Sequence, residues 1–463
     1  MIIAKRRKPF RIDWQALDRI IIFCNKSDMI STCIDLFSGC GGLSLGLNAS
    51  GFQTLFGVEA HADAFATYKK NILKKKATKH AWPQWLEQKP WRAEELLEKH
   101  DDQLKALRGI VDLIAGGPPC QGFSMNGQRR SDDPRSQMVE VYLRFVNLIR
   151  PNLILLENVQ GFQSMKHRAG GTYSDHVRRE LDLIGYESWS ELIRASEYGV
   201  PQRRPRFMLI AAPKGSLRGI DPFERLRVRR KSFLLHRGLE LSPIGAAEAL
   251  SDLEETDEFL PLDPEWGDQG FKTLVRAGSA KSAYQKLMRK GSRGQPKDMR
   301  LPRHRLESIR RMEDILENCD RGVCLRPEDR TRLGIKKRST TPLAAEAPAP
   351  TISTLPDDFV HYSKPRSMTV REHARLQSFP DWFSFEGPYT TGGKQRKDAC
   401  PRFTQVGNAV PPLLAEAIGE VLIGLLIHQR ANEVSHLGEV IDMRRESTTN
   451  LGKVTDLNVR TTA

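Results

Sequence analysis

The stretch TCIDLFSGCGGLSLGL, residues 32–47, decides the fold. An apolar run from Thr32 to Leu36 suits a buried strand. It passes through Phe37-Ser38-Gly39-Cys40-Gly41-Gly42 into a segment of helical spacing, an order that predicts an open α/β sheet. Glycines let the backbone approach a ligand closely, and the first turn of a helix offers N–H groups without intrahelical acceptors. A second strand, Thr54 to Val58, ends in Glu59, twenty residues after Gly39, where a carboxylate would meet ribose hydroxyls. The pattern suits a nucleotide-like ligand. It fits a dinucleotide or S-adenosylmethionine, and Asp35 ahead of the glycines leans toward the latter.

The next informative stretch is GGPPCQGFS, residues 116–124. It follows the apolar run Ile110 to Ala115, and Pro118 and Pro119 fix φ and remove two amide donors, so Cys120 is held in a stiff, extended turn at a strand end. A thiolate is a strong nucleophile, and a rigid turn is a reasonable place for one. Residues 125–135 have the polar, basic composition of a loop that closes over substrate. A helix is expected from Gln137 to Ile149, followed by the buried strand Leu153 to Leu156, which delivers Glu157-Asn158-Val159 to the carboxyl edge where open α/β sheets bind ligands. Further strands, Ser188 to Arg194 and Arg206 to Ala212, flank EYGVPQRRPR. In that turn Arg203, Arg204 and Arg206 crowd together and favour contact with an anion or a base.

Composition narrows the partners. The 463 residues exceed one ordinary core, and 72 Lys+Arg against 57 Asp+Glu leave a formal charge of +15, which favours a polyanion such as nucleic acid. Seven cysteines show no framework spacing and no paired CxxC sets, so they are expected to be reduced, with no metal site. Ile20 to Cys24 is too short for the apolar core of a secretory signal. Leu413 to Ile427 carries Glu416 and Glu420 and reads as an amphipathic helix rather than a membrane span. A soluble, cytoplasmic, nucleoid-associated protein is expected.

Together these blocks resemble those of the DNA (cytosine-5) methyltransferases. The matching residues are Asp35-Leu-Phe-Ser-Gly-Cys-Gly-Gly, Glu59, Gly117-Pro-Pro-Cys-Gln-Gly-Phe-Ser, Glu157-Asn-Val, Gln202-Arg-Arg-Pro-Arg206, Arg371-Glu-x-Ala-Arg-Leu-Gln-Ser-Phe-Pro and Gln405-Val-Gly-Asn-Ala-Val-Pro-Pro. They occur in the family's order and cover most of 31–215 and 348–428. The resemblance implies a Rossmann-like, doubly wound methyltransferase sheet with a second, smaller target-recognition domain.

It also implies roles. Cys120 would add to C6 of a flipped-out cytosine, making C5 nucleophilic toward the methyl of S-adenosylmethionine, with S-adenosylhomocysteine as product. Glu157 would bind N3 and the exocyclic amine in protonated form, Arg206 would bind O2, and Arg204 would grip a phosphate. Phe37, Ser38, Gly39, Gly41, Glu59, Pro119, Met138, Asn408, Ala409 and Val410 would surround the cofactor. Gln121, Ser124 and Asn126 would contact DNA and fill the space the base vacates. The aspartate that the family uses for the adenine amine has no match here; Trp91-Arg92 occupies about that place.

The implied layout is a basic helical extension over 1–30, a catalytic and cofactor-binding domain over 31–214, target recognition with a supporting helix over 215–375, a return to the catalytic domain over 376–428 and a loose tail over 429–463. The basic segment LRVRRKSFLLHRG, residues 226–238, and the run from Arg276 to Arg311 suit phosphate positioning. Cys319 and Cys324 lack zinc partners and are expected to be structural. Double-stranded DNA is the implied partner, bound by a monomer, with restriction or phage-defence proteins as further partners. A tRNA cytosine-5 methyltransferase shares the catalytic blocks but has a smaller recognition region. A DNA-binding scaffold would have lost Cys120, Glu157 or Arg206, and all three are present. Amino-methylating enzymes require a polar residue before Pro-Pro and an aromatic after it, where this chain has Gly117 and Cys120.

Overall fold

A computed structural model describes residues 30–76, 78–119, 137–168, 170–254, 260–275, 278–390 and 399–432. The apolar runs form a six-stranded sheet: β1 Thr32–Leu36, β2 Gln53–Val58, β3 Leu113–Gly116, β4 Leu153–Val159, β5 Tyr186–Arg194 and β6 Pro205–Pro213, in the order β2-β1-β3-β4-β6-β5. The first four are parallel, and β6 runs antiparallel to both β4 and β5. Alternate strand residues feed two separate cores. Cys33, Leu113, Leu153 and Met208 face one, whereas Ile34, Ile114, Ile154 and Phe207 face the other. Burial on both faces explains why these strands read as continuous apolar runs.

Helices cover both faces. Helix α1 (Gly42–Ser50) lies on the first, while α2 (Met138–Ile149) and α3 (Tyr173–Leu183) lie on the second. The first face also receives α4 (Pro222–Leu235), α5 (Val370–Leu376), α6 (Arg402–Asn408) and the helix over 412–432. That last helix lies in the one segment, among the described residues, that is apolar and long enough to cross a membrane, but 78% of its apolar window is buried inside the protein. It continues through the expected start of the tail. Gln429 Nε2 donates to Ser216 Oγ (2.8 Å) and Arg430 NH2 to Asp112 Oδ1 (2.8 Å), so residues 429–432 are part of the fold; 433–463, like the extension over 1–29, lie outside the described residues.

The expected recognition region divides differently from its composition. Leu217, Phe223, Leu226, Phe233, Leu234, Leu250, Tyr284, Met288 and Met299 join the core on the first sheet face, so residues from 217 onward pack as part of the catalytic body. The basic run at 226–238 lies within and just after α4, and three of its arginines are paired with acids. Arg227 pairs with Glu191 on β5, Arg229 with Glu420 (3.6 Å), and Arg237 with Glu416 (2.6 Å) and Glu420 (2.8 Å). These three pairs hold α4 between the sheet edge and the C-terminal helix, while Lys231 on the same run is exposed. A small core of its own forms around Met312, Ile315, Leu325, Leu333 and Val360.

The supporting helix is present, and its arginines are entirely buried. Thr369 and Glu372 form a capping box at the start of α5. Arg375 binds Asp252 (3.0 Å) and Asp381 (2.5 Å), while Arg371 reaches Asp298 (3.4 Å) and the carbonyl of Lys297. Breaking one such buried pair costs about 3–5 kcal/mol.

Close approach of backbone makes glycine necessary in α1. A Cβ at Gly46 would stand 2.4 Å from the Pro412 carbonyl oxygen and 2.5 Å from Ala415 Cβ, whereas one at Gly424 would meet nothing within 4 Å. Gly46→Ala is expected to cost about 1–3 kcal/mol through overpacking. Gly424→Ala should be neutral or stabilising by up to about 1 kcal/mol from helix propensity. Thermal or urea unfolding of the two variants checks both.

Candidate active site

The strands end in register. Leu36 pairs with Gly116, and Gly116 with Leu156, so the residues that follow β1 and β3 and the end of β4 stand side by side at one carboxyl edge. The chain leaves β1 toward β2 on one side and β3 toward β4 on the other. This makes the β1/β3 junction the topological switch point, where open α/β sheets bind ligands.

After β1 the backbone turns sharply. Phe37 (φ 60°), Gly39 (φ 56°) and Gly41 (φ 98°) are all left-handed. For Phe37 that conformation is strained, and such strain concentrates at functional sites. Asp35 latches the turn to α1, its Oδ2 accepting from Ser44 N (3.1 Å) and Ser44 Oγ (2.6 Å). Burial raises its pKa to about 7, opposed by the Ser44 hydrogen bonds. Glu59 closes the loop from β2: Oε2 accepts from Gly39 N (3.0 Å) and Oε1 from His61 N (2.7 Å). Burial pushes its pKa up, against the two backbone donors. A third wall comes from far along the chain. A Cβ on Gly42 would lie 2.4 Å from the Val410 carbonyl oxygen and 3.3 Å from Ala409 Cβ, which brings the 408–410 segment against the glycine turn. Asn408 is exposed beside it, while Ala409 and Val410 are buried. Phe37 and Met138 both pack, partly buried, against the second core.

Beside this lies an acid–base pair. Glu157 is within β4 rather than beyond it, since β4 continues to Val159. Arg206 on β6 reaches it, Nε to Oε1, at 2.8 Å, and both side chains are nearly buried. The Glu157 carboxylate fills the space a Cβ on Gly117 would need, its Oε2 lying 2.9 Å from that position. Asn158 Nδ2 donates to the Pro118 carbonyl (3.3 Å), tying the Pro118-Pro119 turn to β4. Thus Gly117, Pro118, Glu157 and Arg206 are brought together, with Pro119 next in the chain. Cys120, Gln121, Ser124 and Asn126 lie outside the described residues.

Arg204 requires a correction. It is 1% exposed, and its guanidinium donates to the carbonyl of Gly407 (2.7 Å) and to Gln202 Oε1 (3.4 Å). Burial, then the neighbouring Arg206, lowers its pKa. A side chain so enclosed cannot grip a phosphate; it braces β6 against the turn that precedes Asn408. Gln202 acts in the same way, donating to Gln377 Oε1 (2.6 Å) and accepting from Ile352 N (2.9 Å). Sequence reasoning missed Gln202, Gln377, Asn158 and Gln405. Gln405 Oε1 accepts from Thr67 Oγ1 (2.6 Å) and its amide donates to the carbonyl of Cys400 (2.8 Å). All four lie inside or next to the quoted blocks, and their amides, uncharged but buried, were the available signal. Trp91, at the place of the absent aspartate, is buried, with its backbone N–H on the Glu59 carbonyl (2.8 Å) and its indole N–H on the Glu87 carbonyl (2.9 Å).

A family model described as C-5 cytosine-specific DNA methylase matches residues 31–424. The type II methyltransferase M.AgeI of Thalassovita gelatinovora is 31% identical over 463 residues, spanning 84% of this chain and 98% of that protein. M.DdeI of Desulfomicrobium norvegicum is 29% identical over 396 residues, 84% and 87% of the two chains. M.XorII of Xanthomonas oryzae pv. oryzae is 30% identical over 424 residues, 88% of each. A solved protein described as a putative DNA modification methyltransferase encoded within an E. coli prophage matches with a TM-score of 0.58 at 25% identity, covering 86% of this chain and 99% of that one.

Arg204→Ala is expected to destabilise the fold by about 1–3 kcal/mol, because it leaves buried acceptors unpaired. The salt slope of DNA binding should stay unchanged, whereas loss of a phosphate contact lowers it by about one unit. Asp35 should make stability depend on pH. Its folded pKa lies above the usual value of 3.8, so the stability it contributes is complete below about pH 4 and is lost as pH rises through about 7. Asp35→Asn should therefore lose less stability than the wild type across that interval in melts recorded at several pH values.

Proposed function

The chain belongs to the C-5 cytosine-specific DNA methylases and is a DNA (cytosine-5-)-methyltransferase, and from that premise we propose that it methylates a flipped-out cytosine in duplex DNA through a covalent Cys120–C6 adduct. The observation that carries the reading is the Glu157–Arg206 pair at 2.8 Å, packed on Gly117 three residues before Cys120. Opposite charges side by side in a nearly dry wall present one acceptor and several donors to a planar base edge.

Each residue then has a definite task. The Cys120 thiolate adds to C6, forming the C–S bond and leaving an electron pair at C5. Glu157 takes up a proton from solvent as the base enters, donates it to N3 and accepts from the exocyclic amine, while Arg206 donates to O2, so the charge that develops on the ring is held between them. After methyl transfer a base removes the C5 proton, the C6–S bond breaks, and the ring regains aromaticity. The stiff Gly117-Pro118-Pro119 turn, tied to β4 through Asn158, fixes where the thiol arrives.

S-adenosylmethionine supplies the methyl group. The residues at the switch point fit it. Ser38 Oγ is buried without a hydrogen-bond partner among the described residues, and a Cβ on Gly39 would meet nothing within 4 Å, so the turn has room at Gly39 next to an unpartnered hydroxyl. Phe37, Ser38, Gly39 and Gly41 would hold the methionine end, Glu59 the ribose, and Pro119, Met138 and the 408–410 segment the remaining walls. For DNA, the exposed cations Lys286, Lys290, Arg293, Lys297, Arg303 and Arg305 are suited to phosphates, and the unit built around Met312 and Ile315 to target recognition. Gln121, Ser124 and Asn126 would occupy the vacated stack.

Bisulfite sequencing of genomic DNA from cells expressing wild-type chain should reveal C5 methylation within one short motif. Cys120→Ala should abolish it. Glu157→Gln should lower kcat by about 10²–10⁴, the usual range for a lost acid–base group. Methylation that survives Cys120→Ala would overturn the covalent route.

A further inference from the structure

On the second sheet face three potential ligands meet. Glu140 is in the first turn of α2, His176 is on α3, and His167 is in the turn that leads into α3. Their ligating atoms all lie within 4.8 Å of one another. His176 Nε2 is 2.6 Å from Glu140 Oε1, and the two imidazoles stack with centroids 3.9 Å apart and planes 13° from parallel.

The backbones that carry the histidines are held in place before any ion arrives, and the rings can still turn about their side-chain bonds. The His167 N–H donates to the Gly171 carbonyl (2.9 Å), its own carbonyl accepts from Gly170 (3.0 Å), and the Tyr173 ring stands edge-on at 4.8 Å. His176 rides on a helix whose start is fixed by the Thr172–Asp175 capping box. Both residues are 8% exposed, whereas the Glu140 side chain is 40% exposed and leaves a route in from solvent.

We propose that Glu140, His167 and His176 bind one divalent transition-metal ion of the Zn²⁺ class. Two imidazoles and a carboxylate form a borderline donor set suited to Zn²⁺, Co²⁺, Ni²⁺ or Cu²⁺, and unsuited to Mg²⁺ or Ca²⁺, which require oxygen. Three protein ligands leave the fourth tetrahedral position to water. Ligands at about 2.0–2.1 Å from a tetrahedral ion stand roughly 3.4 Å apart, so Glu140 must swing outward from its 2.6 Å contact, which its exposure allows, and one imidazole must turn out of the stack so that both ring lone pairs meet at the ion. Glu180, one turn further along α3 with Oε1 4.0 Å from His176 Nδ1, is positioned to orient the ring from behind. The ion would join the start of α2, which follows Cys120 and residues 121–136 in the chain, to the segment that follows Glu157 and β4.

The test is titration of untagged, full-length chain, freed of metal by chelation, with Co²⁺ and then Zn²⁺. The expected result is one equivalent of Co²⁺ with visible d–d absorption, displaced by Zn²⁺, and a thermal midpoint that rises with Zn²⁺. His167→Ala and Glu140→Gln should each weaken binding by at least about tenfold and remove the thermal shift. Glu140→Gln, on a half-exposed side chain, keeps the test informative if His167→Ala does not fold. No stoichiometric binding by the wild type would overturn the proposal, as would a thiolate charge-transfer band, which would put the ion on cysteine. Equal binding by wild type and Glu140→Gln would do the same.

Discussion

The structure depends on the contact between the beginning of the fold and its end. Helix α1 follows the first strand, and the segment 408–415 comes some 370 residues later, yet their backbones touch. Only the missing side chains of Gly42 and Gly46 leave room for the carbonyls of Val410 and Pro412. This approach sets the 408–410 segment against the glycine turn at the switch point. It also makes the site a product of segments far apart in sequence, because that wall is built only when the helix over 412–432 packs on α1. A buried arginine and a buried glutamine serve the same end. Arg204 holds the Gly407 carbonyl, and Gln377 donates to the carbonyls of Val406 and Ala409, so the turn that carries 408–410 is braced from two other elements.

Arginines of one short block have thereby been put to opposite uses. Arg206 sits inside β6, directed at the carboxylate on the neighbouring strand, whereas Arg204 precedes the strand and is enclosed by the returning chain. A guanidinium offers five donors in a rigid fork, so it satisfies several carbonyls as readily as it grips an anion. Its presence in a motif does not say which. The choice is made by what covers it, and here the cover arrives from residues 352 and 407.

Most of the catalytic half was legible because its signals are local. Thr32 to Leu47, Leu153 to Val159 and Arg206 to Ala212 announce their strands by apolar runs, and the turns at Gly39 and Pro118 announce themselves by residues that only certain backbone conformations accommodate. The register that aligns Leu36, Gly116 and Leu156 then follows from parallel pairing. What was not legible depends on partners far off in sequence. Asn158 looks like any polar residue after a strand until the Pro118 carbonyl is beside it, and Glu140 is separated from His167 and His176 by a whole strand, so no spacing rule connects them.

The basic run in and after α4 is the most instructive departure. Composition assigns a run of arginines to solvent or to phosphate, because an unpaired buried charge is expensive. That inference omits the acidic residues that close the balance. Glu191 lies some 35 residues earlier, and Glu416 and Glu420 lie about 180 later on a helix that is otherwise apolar. Those two glutamates read as the polar stripe of an amphipathic helix, and the arginines read as a DNA-facing surface. In the fold each is the other's counter-ion. A helix with charges on several faces can thus be drawn into a catalytic body when neighbouring elements supply the opposite sign. The net charge of +15 already counts these glutamates, so the pairing changes where the positive excess lies rather than how large it is, and exposed lysines and arginines recur from Lys286 to Arg305.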